Sequence, residues 1–258
     1  MKSLEENAQS YFEKAKKAKR KAEGARGALE RWKIQRDELL VKKTEFEEKL
    51  NEEKNKPIVV KKWYHKFRWF FTSDDFLVIG GRDATTNEIV IKKHTQKEDL
   101  VFHTDMAGSP FFVIQSGGKV ISKKAIQETA DATCTFSRAF QLGLSTQSVF
   151  YVKPDQVSKE AQSGEYLTKG AFMIRGKTTY AENKINLALG ITEEQEVMSG
   201  PVDAVTKHCK QWIEIRQGKE KVSSVAKKLE KLLSHNDLDA VIRALPAGSF
   251  EIVKQRKL

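Results

Sequence analysis

From Leu4 onward, apolar side chains recur at alternating steps of four and three residues. The seam runs Leu4, Ala8, Tyr11, Ala15, Ala18, Ala22, Ala25, Leu29, Trp32, then Leu39, Phe46 and Leu50, with Arg36 and Lys43 interrupting it. A 3.5-residue period held this long predicts a coiled-coil helix over residues 1–56. At 1.5 Å per residue, fifty residues span roughly 75 Å. Alanine in the middle of the seam lets a second helix approach closely. Gly24 and Gly27 each weaken the helix by up to about 1 kcal/mol relative to alanine, so a break or hairpin there is an alternative reading. Pro57 is the expected stop. No equally long heptad run follows, so the expected partner is another copy, another polypeptide or a segment upstream.

From Ile58 the period changes to two. Lys66 to Phe71, Phe76 to Ile79, Ile89 to Ile91, Leu100 to Phe102 and Phe111 to Ile114 are short runs bounded by turn residues, and they predict successive antiparallel strands. Ser122 to Leu142 predicts one helix with Ile126, Ala130, Thr133, Ala139 and Phe140 inward. Val149 to Val152 and Ala171 to Ile174 return as strands. Beyond Tyr180, strands are predicted at Glu196–Met198, Gln211–Ile215 and Phe250–Val253, and helices at Pro201–Cys209, Val222–Leu233 and Leu238–Ala244. The expected class is α+β: a long N-terminal coiled-coil helix (1–56), a mixed, mainly antiparallel sheet domain with helices (57–180) and a small α/β C-terminal segment (181–258).

The 258 residues are 39% hydrophobic and 31% charged, with a formal charge of +11 and a pI near 9.4. That balance favours an anionic partner, nucleic acid first among them. No run approaches the roughly 18 apolar residues that cross a bilayer, and the charged N-terminus has no signal-peptide core, so no membrane association is expected. Cys134 and Cys209 lie far apart without metal-ligand spacing and read as buried small hydrophobes in a reducing, cytoplasmic setting.

Charge and aromaticity interleave in Lys61-Lys62-Trp63-Tyr64-His65-Lys66-Phe67-Arg68-Trp69-Phe70-Phe71. Such a surface suits a polyanion that also offers flat faces for stacking, as RNA does. The candidate contacts are Lys61, Lys62, Lys66, Arg68, Lys92, Lys93, Lys153, Lys159, Arg175 and Lys177 for phosphates, and Trp63 and Tyr64 for stacking. For both rings, and for Phe67, Trp69 and Phe71, burial in the core is the competing reading. Gly80-Gly81-Arg82-Asp83 predicts a tight hairpin with positive-φ glycines, fixed by Arg82 and Asp83. The same loop could offer amides and the Arg82 guanidinium to a phosphate. His103 and Asp105, with Asp83 or His94, invite a metal-hydrolase reading, but no HExxH, paired-carboxylate or nucleophile-elbow pattern supports it, so structural or RNA-contacting histidines are favoured. Walker A and dinucleotide spacings are missing, and no cofactor is expected. The basic block Lys14, Lys16, Lys17, Lys19, Arg20 and Lys21 reads as either a solvated face or a phosphate-facing patch.

Six blocks in order resemble one family: Trp63 to Phe70, Gly80 to Ala84 with Asn87-Glu88, Phe102 to Pro110, Gln156 to Lys159, Ser163 to Leu167, and Phe172 to Lys177. Together they resemble the NFACT-R domain, the RNA-binding module of NFACT proteins, which are ribosome-associated quality-control factors. The leading helix is similar to the distal helix of the family's coiled coil. Val197 to Val205 and Arg243 to Gly248 resemble the C-terminus of archaeal members. The resemblance implies a non-enzymatic adaptor that binds tRNA and large-subunit rRNA on stalled large ribosomal subunits. The family's N-terminal domain has no counterpart here, so peptide-tail synthesis does not carry over. The chain is expected to be a fragment, or a separately encoded half whose residues 4–50 pair with an N-terminal partner or a second copy. A coiled-coil assembly protein with a basic protein-binding module is the alternative.

Overall fold

The computed structural model describes residues 3–54, 62–160 and 167–257, without the side chains at positions 7, 45, 48–54 and 254–257. The chain divides into two units, 1–58 and 59–258. The first is a single helix, α1 (Leu4–Lys54). Ser3 and Glu6 cap it reciprocally: the Glu6 amide donates to Ser3 Oγ (3.1 Å) and the Ser3 amide to Glu6 Oε2 (2.9 Å). The helix passes Gly24 and Gly27 unbroken, so the hairpin alternative is set aside. Leu4, Tyr11, Leu29, Trp32, Leu39 and Phe46 all stand exposed along it. Pro57 and the Leu50 side chain lie outside the described residues.

In the second unit a 3-10 turn at Trp63–Lys66 leads into β1 (Arg68–Phe71) and β2 (Leu77–Gly80), then α2 (Ala84–Lys93), β3 (Leu100–Thr104) and β4 (Phe112–Ile114). Two helices follow, α3 (Lys123–Thr135) and α4 (Arg138–Leu142), and then β5 (Val149–Val152). β6 (Val157–Ser158) and β7 (Met173–Ile174) make a two-stranded ribbon, and β8 (Thr179–Ala181) returns to the main sheet. That sheet has the order β1-β2-β4-β3-β5-β8 and is antiparallel throughout. The rest of the chain forms β9 (Ala188–Thr192), β10 (Val197–Gly200), α5 (Val202–His208), β11 (Cys209–Lys221), α6 (Val222–Leu232), α7 (Leu238–Ala244) and β12 (Ser249–Lys257). Its four strands form a second antiparallel sheet, β10-β9-β11-β12. The architecture is α+β.

Three local expectations change. Ile89 to Ile91 is helical, not a strand. Asp83 caps α2 by accepting from the Thr86 amide (2.8 Å), and Thr86 Oγ1 accepts from the Asp83 amide (2.9 Å). With Asn87 and Val90 then buried one helical step apart, capping and packing override the β preference of Ile89-Val90-Ile91. The Gly80–Asp83 stretch is therefore a strand end and helix cap, and neither Gly80 nor Gly81 has positive φ. Their glycines are needed for space. A Cβ on Gly80 would meet the Phe112 ring at 2.4 Å, and one on Gly81 would meet Asn87 Oδ1 at 1.8 Å. Third, the helix expected over 122–142 breaks at Phe136-Ser137, where Ser137 caps α4. β6, β8 and β9 are additional strands that the sequence pattern does not predict.

Helix α3 is buried on nearly every side, so its polar side chains need partners. Glu128 accepts from the Ser73 amide (2.8 Å) and from the Ser73 hydroxyl. Asp131 accepts from the Lys184 amide (3.1 Å) and Asn186 Nδ2 (3.0 Å), while Asn186 Oδ1 accepts from the Val202 amide (3.0 Å). Asn186 thereby ties α3 to α5. β1 lies beside β10, with Gly200 against Phe70, and a single buried cluster runs through both sheets.

Candidate nucleic-acid interface

The 3-10 turn at Trp63–Lys66 separates two neighbouring rings. Tyr64 turns into the core (6% exposed), whereas Trp63 stays 45% exposed. Of the two stacking candidates, only Trp63 offers a face to solvent. It stacks on His94 with ring centroids 4.5 Å apart and an interplanar angle of 12°. Lys66 Nζ stands 4.9 Å from the Phe67 ring centre, next to the same pair. Burial holds the His94 pKa below its usual value, and Lys66 and Lys93 push it the same way, so this imidazole is a neutral plate at pH 7. The structure thus groups Trp63, His94, Lys66 and Lys93 as an exposed aromatic–cationic patch. Lys62 is committed elsewhere. It pairs with Glu194 and with Glu196 (3.1 Å). Burial works against its charge, but hydrogen bonds to Glu194, Glu196 and Tyr64 outweigh it and hold the ammonium above the ordinary lysine value.

Arg68 and Arg82 are not surface charges but the half-buried wall between two cavities, of about 450 and 630 Å³. Arg68 donates to the Leu245 carbonyl (3.1 Å), and its guanidinium lies 4.6 Å from the centre of the Phe136 ring. Burial, with Arg82 nearby, pulls its pKa down to about 10, which leaves it charged at neutral pH. Arg82 donates to the Phe67 carbonyl (2.8 Å), but its Nε is buried without a partner among the described residues. Burial and then Arg243 depress its pKa. Arg138 and Lys169 line the smaller cavity and Arg243 the larger one, together with Trp63 and Lys66. None of Arg138, Lys169 and Arg243 is conspicuous in the sequence, because nothing local places them beside Arg82.

His103 also faces the smaller cavity. Its Nε2–H donates to the Ser109 carbonyl (3.1 Å), and its ring stacks on Phe111 at 4.1 Å. Burial keeps it neutral. Asp105 instead accepts from the Tyr180 hydroxyl at 3.4 Å. Among the described residues no three His, Cys, Asp or Glu side chains gather so as to hold a metal.

The remaining candidates fall into two further groups. Lys92 and Lys159 both pair with Glu88, at 3.4 and 2.7 Å, and the hydrogen bonds that Glu88 accepts from Lys159 and from the Gly170 amide draw its pKa down to about 2. Lys159 also donates to the Thr168 and Ala171 carbonyls and covers the Phe172 ring. These two lysines line a third cavity that shares Phe172 with the arginine-walled one. The other group surrounds Gln156, whose Nε2 donates to the carbonyls of Arg175 (2.8 Å) and Lys177 (3.0 Å) and whose Oε1 accepts from the Lys153 amide (3.0 Å). Lys153, Arg175 and Lys177 are exposed. Lys61 lies outside the described residues, as does all of the Ser163–Leu167 block except Leu167. The cations expected on a single wall therefore form a chain of adjoining cavities with separate exposed groups beside it.

The family described as "NFACT protein RNA binding domain" matches residues 66–176. The chain is 40% identical over 201 residues to the archaeal Rqc2 homolog aRqcH of Methanocaldococcus jannaschii, a match covering 76% of this chain and 30% of that protein. It is 40% identical over 119 residues to the human ribosome quality control complex subunit NEMF, covering 46% of this chain and 11% of NEMF. The Drosophila melanogaster NEMF homolog is 38% identical over 131 residues, 50% of this chain and 13% of that protein. The chain thus spans less than a third of the length of these relatives. The C-terminal part of the fibronectin/fibrinogen-binding protein of Streptococcus suis aligns with a TM-score of 0.39 at 19% identity, over 50% of this chain and 49% of that one, too loosely to place any residue. Residues 66–176 of this chain therefore form an NFACT-R domain, the RNA-binding module of the NFACT proteins.

Proposed function

We propose that the chain is a non-enzymatic RNA-binding component of ribosome-associated quality control, acting in the cytoplasm on large ribosomal subunits. The observation that carries this reading is the NFACT-R match laid over cavities whose walls are arginine, lysine and aromatic side chains. Two curated relatives are named for the ribosome quality control complex, and that role is extended here to this chain. The proposed ligands are tRNA and large-subunit rRNA. The grip lies on the exposed cations of residues 61–177, and the long helix pairs with a partner helix, from a separately encoded N-terminal half or from a second copy.

Salt titration of RNA binding tests it. Removing one phosphate-binding charge should flatten the plot of log affinity against log salt by about one unit. Lys66→Ala and Lys93→Ala are each expected to do so. Lys62→Ala should change the slope less, because Glu194 and Glu196 already neutralise that charge. RNA binding that is undetectable even at low salt overturns the proposal.

The exposed apolar seam of α1 favours a second, compatible role in assembly. Sedimentation of the whole chain, alone and with candidate partners, reads it directly. A chain that stays monomeric in every mixture argues against it.

A further inference from the structure

Arg68 and Arg82 form a wall common to two cavities, and each cavity has a ring beside it: Phe136 and Phe172 in the smaller, Trp63 in the larger. At about 450 and 630 Å³ both fall within the range of small-ligand sites. Carboxylates on the walls are mostly engaged. Asp83 accepts from the Thr86 amide, Asp237 from the Ala240 amide, and Glu196 pairs with Lys62, leaving Asp239 exposed at the rim. Burying one guanidinium beside another without a carboxylate between them is costly, and the buried Arg82 Nε adds a donor without an acceptor. An anion seated between the two guanidiniums offsets the first of these costs.

Resting on the RNA-binding reading above, we propose that Arg68 and Arg82 clamp one internucleotide phosphate of a single-stranded RNA, so that the nucleotides on its two sides occupy the two cavities. Arginine suits this position because its planar fork can bond two phosphate oxygens at once. Arg138 and Arg243, exposed at the outer walls, meet the next phosphates on either side. A base lodged in either cavity has left its stack, which excludes a paired duplex and favours loops, bulges or ends. Rings beside such a base add stacking without demanding a particular base identity.

The full chain would be titrated with a labelled single-stranded RNA of about eight nucleotides, within the usual single-strand site size, and with the same RNA annealed to its complement. The single strand is expected to bind roughly tenfold tighter than the duplex, and Arg138→Gln and Arg243→Gln each to lower the salt slope by about one. Both arginines are exposed, so these variants should fold. Lys219→Gln, an exposed cation absent from both cavity walls, is the charge control. Replacing the central linkages with neutral methylphosphonates should weaken binding of the parent chain and make little further difference to Arg82→Gln. Equal affinity for duplex and single strand, or arginine variants that behave like the lysine control, overturns the clamp while leaving RNA binding intact. Failure of the parent chain to bind either RNA instead removes the RNA reading itself.

Discussion

The histidines show how burial assigns a role that residue type leaves open. Burial lowers the pKa of His94, His103 and His235 below the ordinary 6.5. The unfolded chain therefore takes up these protons first on acidification, and their contribution to stability, present above pH 6.5, is lost as pH falls through the folded values. Glu128, whose pKa is raised by burial, works in the opposite direction. Melting temperature is accordingly expected to drop as pH falls from 7 toward 5. His103→Gln, which keeps a donor for the Ser109 carbonyl but cannot protonate, should make that drop shallower; an unchanged slope would refute the assignment. His103 and Asp105 look from the sequence like metal or contact candidates. The structure gives each a nearer task, the Ser109 carbonyl for one and the Tyr180 hydroxyl for the other. Tyr64 and Trp63 are adjacent and alike on paper, and a single 3-10 turn sends one inward and leaves the other out.

At the scale of elements, the long periodic segment is the most legible and the short β-branched one the least. α1 needs only its 3.5-residue seam to be recognised, because nothing in a solvated helix competes with local preference. Its two glycines sit with open space where a Cβ would go. Gly24→Ala and Gly27→Ala are expected to stabilise the helix by up to about 1 kcal/mol each, visible as a later loss of helical signal on heating. A lower melting point for either would mean that something packs there in solution. The segment Ala84–Lys93 goes the other way. Ile89-Val90-Ile91 carries strand preference, but the Asp83–Thr86 cap commits the chain to a helix before those residues are reached. The reciprocal bonds pass through a threonine, not the glutamate that usually marks such a cap, which hides the signal.

Across the whole molecule, the two sheets meet through one core. The sequence suggests a module ending near 180 and a separate C-terminal segment. Asn186, Gly200 and the α3 polar face hold residues beyond 181 against those before it. A chain ended after Ala181 would leave Asp131 without its Lys184 and Asn186 donors and would uncover Phe70. It is expected to melt several degrees lower than the full chain and to bind a hydrophobic dye. A truncated chain as stable as the parent would show that residues 57–180 stand alone.

The sequence by itself determined the long helix, most strands, the α+β class, the basic character and the NFACT-R domain, because these follow from periodicity, composition and short ordered motifs that act locally. Only the tertiary structure decided which charges are available. Lys62 and Lys159 are drawn to carboxylates, Arg68 and Arg82 become the walls of cavities, and Arg138 and Arg243 join them from far along the chain. A charge's partners and its distance from water depend on residues dozens of positions away, and a one-dimensional pattern carries no record of those distances.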